Sequence, residues 1–371
     1  MATLSDPRPG ALGLLDFDHL HFFVGNARQA AHFYCSAFGF ELCAYAGPET
    51  GVRGRASYVL SQGELRIVLT TALGPEGPIA EFVRLHGDGV GDVALRVPDA
   101  RAAFAAAVAG GAIVVAEPSA ASDEHGEVVT ASIRTYGDTV HTFVERENYR
   151  GPFMPGFTPR TSPVRANQPV GLVRCDHVVG NVGWGEMDTW ADYYAKVFGF
   201  TQLVSFDDHD ISTEYTALKS KVMADGRRRV KFPINEPAKG LKKSQIEEYL
   251  DFYRGPGVQH LAIETSDIIQ TVRALRANGV ELLETPASYY DALPERVGEI
   301  GEDFAVLKEL SILVDRDDLG YMLQIFTKPL SDRPTLFFEL IQRRGSLSFG
   351  KGNFKALFVS IEEEQARRGT L

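Results

Sequence analysis

Three short apolar segments each carry one polar side chain where a strand pattern expects an apolar one. Across 174–182, the two-residue period of a strand sets Cys175, His177 and Val179 on one face. The same rule groups Val258, His260 and Ala262 within 257–265, and Phe337, Glu339 and Ile341 within 336–343. A carboxylate buried on such a face without a partner is costly. A cation shared by His177, His260 and Glu339 removes that cost. Two imidazoles and one carboxylate are the facial set that leaves three positions of an octahedral iron(II) open.

A lone strand histidine is more often a hydrogen-bonded core residue, so the rest of the chain has to be weighed. It repeats itself. Asp18-His19-Leu20 followed by Phe38-Gly39-Phe40 matches Asp176-His177-Val178 followed by Phe198-Gly199-Phe200. Gly89-Val90-Gly91-Asp92 matches Gly257-Val258-Gln259-His260, and 141–146 lies beside 338–343. The offset, about 160 residues in the first two matches, is too long for a solenoid and indicates a duplicated domain. Aligned to the first half, the trio becomes His19, Asp92 and about Thr142, a poor metal set. One half keeps a competent trio and the other has lost it. His21, His32, His86, His125 and His141 are read as lacking a carboxylate at a matching strand position. Changing His19 or Asp92 is therefore expected to leave metal content unaltered.

The elements that must hold these residues follow a strand, helix, several-strands order in each half. Segments 65–69 and 321–327 have the apolar, β-forming composition of strands, and 101–109, 188–197 and 268–277 the spacing of helices. The stretch 152–168, with four prolines, is the expected linker, and 286–302 an irregular insertion. Near the C-terminus, Phe354, Leu357, Phe358 and Ile361 fall at i, i+3, i+4 and i+7, predicting an amphipathic helix over 353–368 with Asn353 as N-cap. Glu339 and Asn353 are 14 positions apart, so this helix can fold back near the metal, either as a lid over it or as a static packing helix. Arg227-Arg228-Arg229 and Glu362-Glu363-Glu364 are read as solvated runs. The fold class is α+β, with a first domain over 12–151 that has no metal site, a linker over 152–170, and a metal-bearing domain over 171–371.

Composition narrows the function. The 371 residues suit about two domains. Lys and Arg number 38 against 49 Asp and Glu, a net charge of −11, which disfavours nucleic acid and anionic membrane surfaces. No apolar run approaches the roughly 20 residues of a membrane span. Three scattered cysteines, Cys35, Cys43 and Cys175, fit a reducing cytoplasm rather than a disulfide framework. Segment 1–10, with an Asp and two prolines, lacks a signal-peptide core. No glycine-rich phosphate loop follows a strand.

On the segments 175–182, Pro233-Ile234-Asn235, Ser244-Gln245, Gln259-His260-Leu261, Gln324-Ile325-Phe326 and Gly350-Lys351-Gly352-Asn353-Phe354, the second half closely resembles the 4-hydroxyphenylpyruvate dioxygenases of the vicinal-oxygen-chelate superfamily. The first half resembles them more loosely. The resemblance implies duplicated βαβββ modules, each half an open barrel-like sheet with outer helices, and a homo-oligomer. It implies iron(II) on His177, His260 and Glu339. Gln245, Gln324, Asn235 and Phe354 are implied in catalysis. Ser220, Pro233, Gln259, Phe326, Phe349, Asn353, Leu357 and Phe358 are implied in substrate binding. Gln259 requires a bulge, because strict alternation turns it away from His260. The implied reaction takes 4-hydroxyphenylpyruvate and dioxygen to homogentisate and CO2. Hydroxymandelate synthases share substrate and ligands but depart at the proline–asparagine segment and at the aromatic of the last helix, where Pro233, Asn235 and Phe354 follow the dioxygenase pattern. Extradiol dioxygenases share the fold but not the 352–354 segment. A metal-free binding module of this fold would not need the trio.

Overall fold

A computed structural model describes residues 12–207 and 212–371, which places segment 1–10 outside the described residues. Two curled half-barrel sheets, one per half, carry helices on their outer sides. The first is nine-stranded, with Asp16–Phe23 between Leu65–Ala72, its parallel neighbour, and Gly89–Arg96, its antiparallel one. The second is eight-stranded and repeats the arrangement: Leu172–Asn181 runs parallel to Lys231–Ala238 and antiparallel to Gly257–Thr265. Gly257–Thr265 in turn runs parallel to Phe337–Arg344. The three strands read as ligand-bearing are thus consecutive neighbours.

The helices Ala27–Phe38 and Met187–Phe198 both end on a glycine in the left-handed region, Gly39 at φ 75° and Gly199 at φ 67°. That conformation costs a residue without a Cβ little, which explains the repeated Phe-Gly-Phe motif. Helix faces from both halves share one apolar core. Tyr34 stacks on Phe338 with ring centroids 5.9 Å apart, and the Tyr194 hydroxyl meets His141 Nε2 at 2.8 Å. The first half is therefore part of the platform that supports the ligand strands.

Several expectations change. Arg227 and Arg229 are not free in solvent: Arg227 donates to the carbonyls of Leu14 and Leu15, and Arg229 pairs with Asp16 and Glu64 across the two halves. The 286–302 insertion contains two short helices, Ala287–Asp291 and Leu293–Val297. Part of the expected linker is docked: Thr158–Pro159 pairs with Ala44 and Tyr45, and Phe153 packs with Ala44, Val59 and Val68. The last helix spans Phe354–Arg368. Asn353 sits at its N-cap position without a capping bond; its Oδ1 instead accepts from the Tyr289 hydroxyl at 2.6 Å and from Arg296. Glu362 is buried and accepts from Thr213 and Thr216, and Glu364 pairs with Lys328, so only Glu363 of the acidic run is exposed.

Candidate metal centre and its cavity

The register of the ligand strands departs from simple alternation at two points. Cys175 lies opposite Ile263 and His177 opposite Ala262, so Asp176 is an extra residue in a bulge. The bulge sends Cys175 into the core shared with the helices and leaves His177 and Val179 on the concave side. A second bulge at Gln259, between Val179 opposite His260 and Gly180 opposite Val258, brings Gln259 onto that side and turns Val258 outward. Phe337, Glu339 and Ile341 alternate regularly and all face inward.

On that surface the three ligand atoms of His177, His260 and Glu339 lie within 4.8 Å of one another. Glu339 Oε2 is 3.3 Å from His177 Nε2 and 3.4 Å from His260 Nε2, and Glu339 is 4% exposed. Burial alone pushes the Glu339 carboxyl up, but the two rings beside it overcome this and hold it at about 2. His177 is also burdened by burial, and the carboxylates of Glu339 and Asp176 outweigh that burden and raise it. For His260 burial prevails and the ring is pushed down.

Each histidine is aimed from behind. Asp176 Oδ2 accepts from His177 Nδ1 at 2.7 Å, and Gln259 Oε1 from His260 Nδ1 at 3.0 Å. Both bonds fix the tautomer that presents Nε2 to the centre, as partners of ligand histidines do. Asp176 is itself clamped by Arg343 through two 2.9 Å bonds and by Lys231 at 2.9 Å. The donor set, its burial and its backing fit a first-row divalent cation. Asp176→Asn removes the charge behind His177, and the expected result is a metal affinity ~10–100-fold weaker with the fold retained. Equilibrium dialysis against iron(II) under anaerobic conditions measures it.

The centre opens into a cavity. Its polar wall contains Ser220, Asn235, Gln245, Gln259 and Gln324, and Pro233 lies beside Asn235. Its apolar wall contains Phe326 and Phe337 from strands, Phe349 from the loop before the last helix, and Phe354, Leu357, Phe358 and Ile361 from that helix. Gln245 is set in place by the helix start: Ser244 and Glu247 form a capping box around it. Gly350, at φ 76°, lets the chain turn tightly against the Gln324 amide, where an added Cβ would meet Nε2 at 2.7 Å. Asn353 alone of the expected contacts is off the cavity, held by Tyr289 and Arg296. Phe206, Leu218, Val222 and Met322 line it without having been expected. Leu218 and Val222 flank Ser220 at the two-residue period, a signal that was present in the sequence.

A model of the glyoxalase/bleomycin resistance protein/dioxygenase superfamily matches residues 16–141 and 174–296. The 4-hydroxyphenylpyruvate dioxygenase of Yarrowia lipolytica is 49% identical over 367 residues, covering 96% of this chain and 93% of its own length. That of Caenorhabditis elegans is 48% identical over 365 residues, with 96% and 93% covered. Among solved structures, a mutant 4-hydroxymandelate synthase from Streptomyces coelicolor superposes with a TM-score of 0.84 at 32% identity, covering 96% of this chain and 100% of that one.

Proposed function

The chain belongs to the glyoxalase/bleomycin resistance protein/dioxygenase superfamily and, within it, to the 4-hydroxyphenylpyruvate dioxygenases, and from that premise we propose that it converts 4-hydroxyphenylpyruvate and dioxygen to homogentisate and CO2 with iron(II) on His177, His260 and Glu339. The observation that carries this reading is the convergence of two imidazoles and a carboxylate in the wall of a cavity lined by amides and phenyl rings. When bound, iron(II) supplies the redox chemistry and the open positions for the 2-keto acid and dioxygen.

The chain's own part is binding, orientation and exclusion of water. Ser220, Asn235, Gln245, Gln259 and Gln324 offer hydrogen bonds to the polar ends of a keto acid that carries a phenol. The rings of Phe326, Phe349, Phe354 and Phe358 hold the substrate ring between apolar faces, and Pro233 and Leu357 shape the space around it. Asp176 and Gln259 keep the ligand rings oriented while substrate enters. Three free thiols, Cys35, Cys43 and Cys175, suit a reducing cytoplasm. A homo-oligomer completes the proposal, and light scattering tests it.

The second reading is 4-hydroxymandelate synthesis, favoured by the superposition on that synthase. The Phe354 ring packs edge-on against Phe206 with centroids 4.9 Å apart, which restricts where the substrate ring can lie. Phe354→Ile relaxes that restriction. The expected outcome is continued oxygen uptake with part of the product shifted from homogentisate to 4-hydroxymandelate, read by chromatography. If 4-hydroxymandelate is the main product of the unmodified chain, the second reading replaces the first.

A further inference from the structure

The first half reproduces the ligand-strand geometry more closely than its sequence indicates. His19 lies opposite Ala94 as His177 lies opposite Ala262, with the same bulge just before it. Asp92, opposite His21, takes the position of His260, which is opposite Val179. Asp92 also lies opposite Val140 as His260 lies opposite Phe337, which sets Thr142 at the position of Glu339. At the position of Glu339 this half therefore has Thr142, and where the other half has Val179 it has His21.

The result is again two imidazoles and a carboxylate. The ligand atoms of His19, His21 and Asp92 lie within 4.8 Å of one another. Expecting no matching carboxylate for His21 was mistaken, because the strand pairing sets Asp92 directly opposite it. The backing is also repeated. Asp18 accepts from His19 Nδ1 at 2.8 Å, so Nε2 faces away from it, and Arg146 holds Asp18 at 3.0 Å where Arg343 holds Asp176. Thr142 donates to both Asp92 oxygens, at 3.1 Å from its backbone and 2.6 Å from its hydroxyl. Thr70 anchors the His21 ring at 2.7 Å.

We propose that His19, His21 and Asp92 form a second site, in the N-terminal half, for a first-row divalent transition cation. Phe153 stands edge-on to His19 at 5.1 Å and Phe23 to His21 at 5.0 Å, and His19 and Asp92 are buried. An ion held there ties together the two strands that carry its ligands, a structural role.

The test titrates the full chain, stripped with chelator, with Co(II) under anaerobic conditions, following heat and visible absorption. The unmodified chain is expected to bind two equivalents at micromolar affinity or tighter. Glu339→Ala and Asp92→Asn should each bind one, with different absorption spectra. His21→Gln serves as the second variant should Asp92→Asn fold poorly. Co(II) should also raise the melting temperature of Glu339→Ala, an effect abolished when Asp92→Asn is added. One equivalent on the unmodified chain would overturn the proposal, as would a second equivalent that survives both Asp92→Asn and His21→Gln.

Discussion

Glu339→Ala is expected to lose the iron of the C-terminal centre, and oxygen uptake with 4-hydroxyphenylpyruvate should fall below detection. Glu339 is the group that both imidazoles share, with Oε2 3.3 and 3.4 Å from their Nε2 atoms. Without it, two rings remain to hold a cation that needs three protein ligands. The fold should survive. Losing Glu339 ends the ion pair with the two rings but also removes the cost of burying a carboxylate, and the strand pairing is untouched. Iron analysis, an oxygen electrode and circular dichroism measure the three quantities together. A Glu339→Ala protein that binds as much iron as the unmodified chain and keeps full turnover would show the ligand assignment to be wrong.

The ligand strands were legible because each placed one polar group on an apolar face, and because the repeat offered an internal comparison. Inference stopped at the bulges. A bulge is a property of pairing between strands, and nothing local in 174–182 says that Asp176 is an extra residue. Cys175 and Val258 were therefore assigned to the wrong faces, whereas Gln259 could be recognised as needing a bulge once its role was implied by resemblance. Long-range partners were equally out of reach. Glu362 reads as a solvated helix residue until Thr213 and Thr216 are seen to donate to it. Asn353 has the residue type and position of an N-cap, but Tyr289 and Arg296 compete successfully for its oxygen. His21 carried a usable signal: it follows His19 by two positions and so shares its strand face.

Ending the chain after Gly352 is the second large change, and it should uncouple oxygen consumption from product formation. The last helix contributes four cavity-lining side chains, Phe354, Leu357, Phe358 and Ile361. Only Phe358 is fully buried, in a small cluster with Phe206, Leu218 and Ile246 that is separate from the main core. Its loss costs ~1.5–3 kcal/mol, and the half-buried Phe354, Leu357 and Ile361 less each. Polar ties go with the helix as well, Arg368 to Glu248 at 2.8 Å and Thr216 to Glu362 at 2.6 Å. The core that spans both halves is untouched. The shortened chain should thus unfold cooperatively at a somewhat lower temperature and bind iron at the C-terminal centre, while forming less homogentisate than the oxygen it consumes, because water reaches the cavity. Full coupling in the shortened chain would remove the water-excluding role of the helix. A collapse of thermal stability would make it a packing element first.

The product of the unmodified chain decides between the two readings. Protein loaded anaerobically with iron(II) is given 4-hydroxyphenylpyruvate and a limiting, known amount of dioxygen, and the products are separated by chromatography. One homogentisate and one CO2 are expected for each dioxygen consumed, with no product from the Glu339→Ala protein. A main product of 4-hydroxymandelate, or turnover that is indifferent to iron, would contradict the dioxygenase reading.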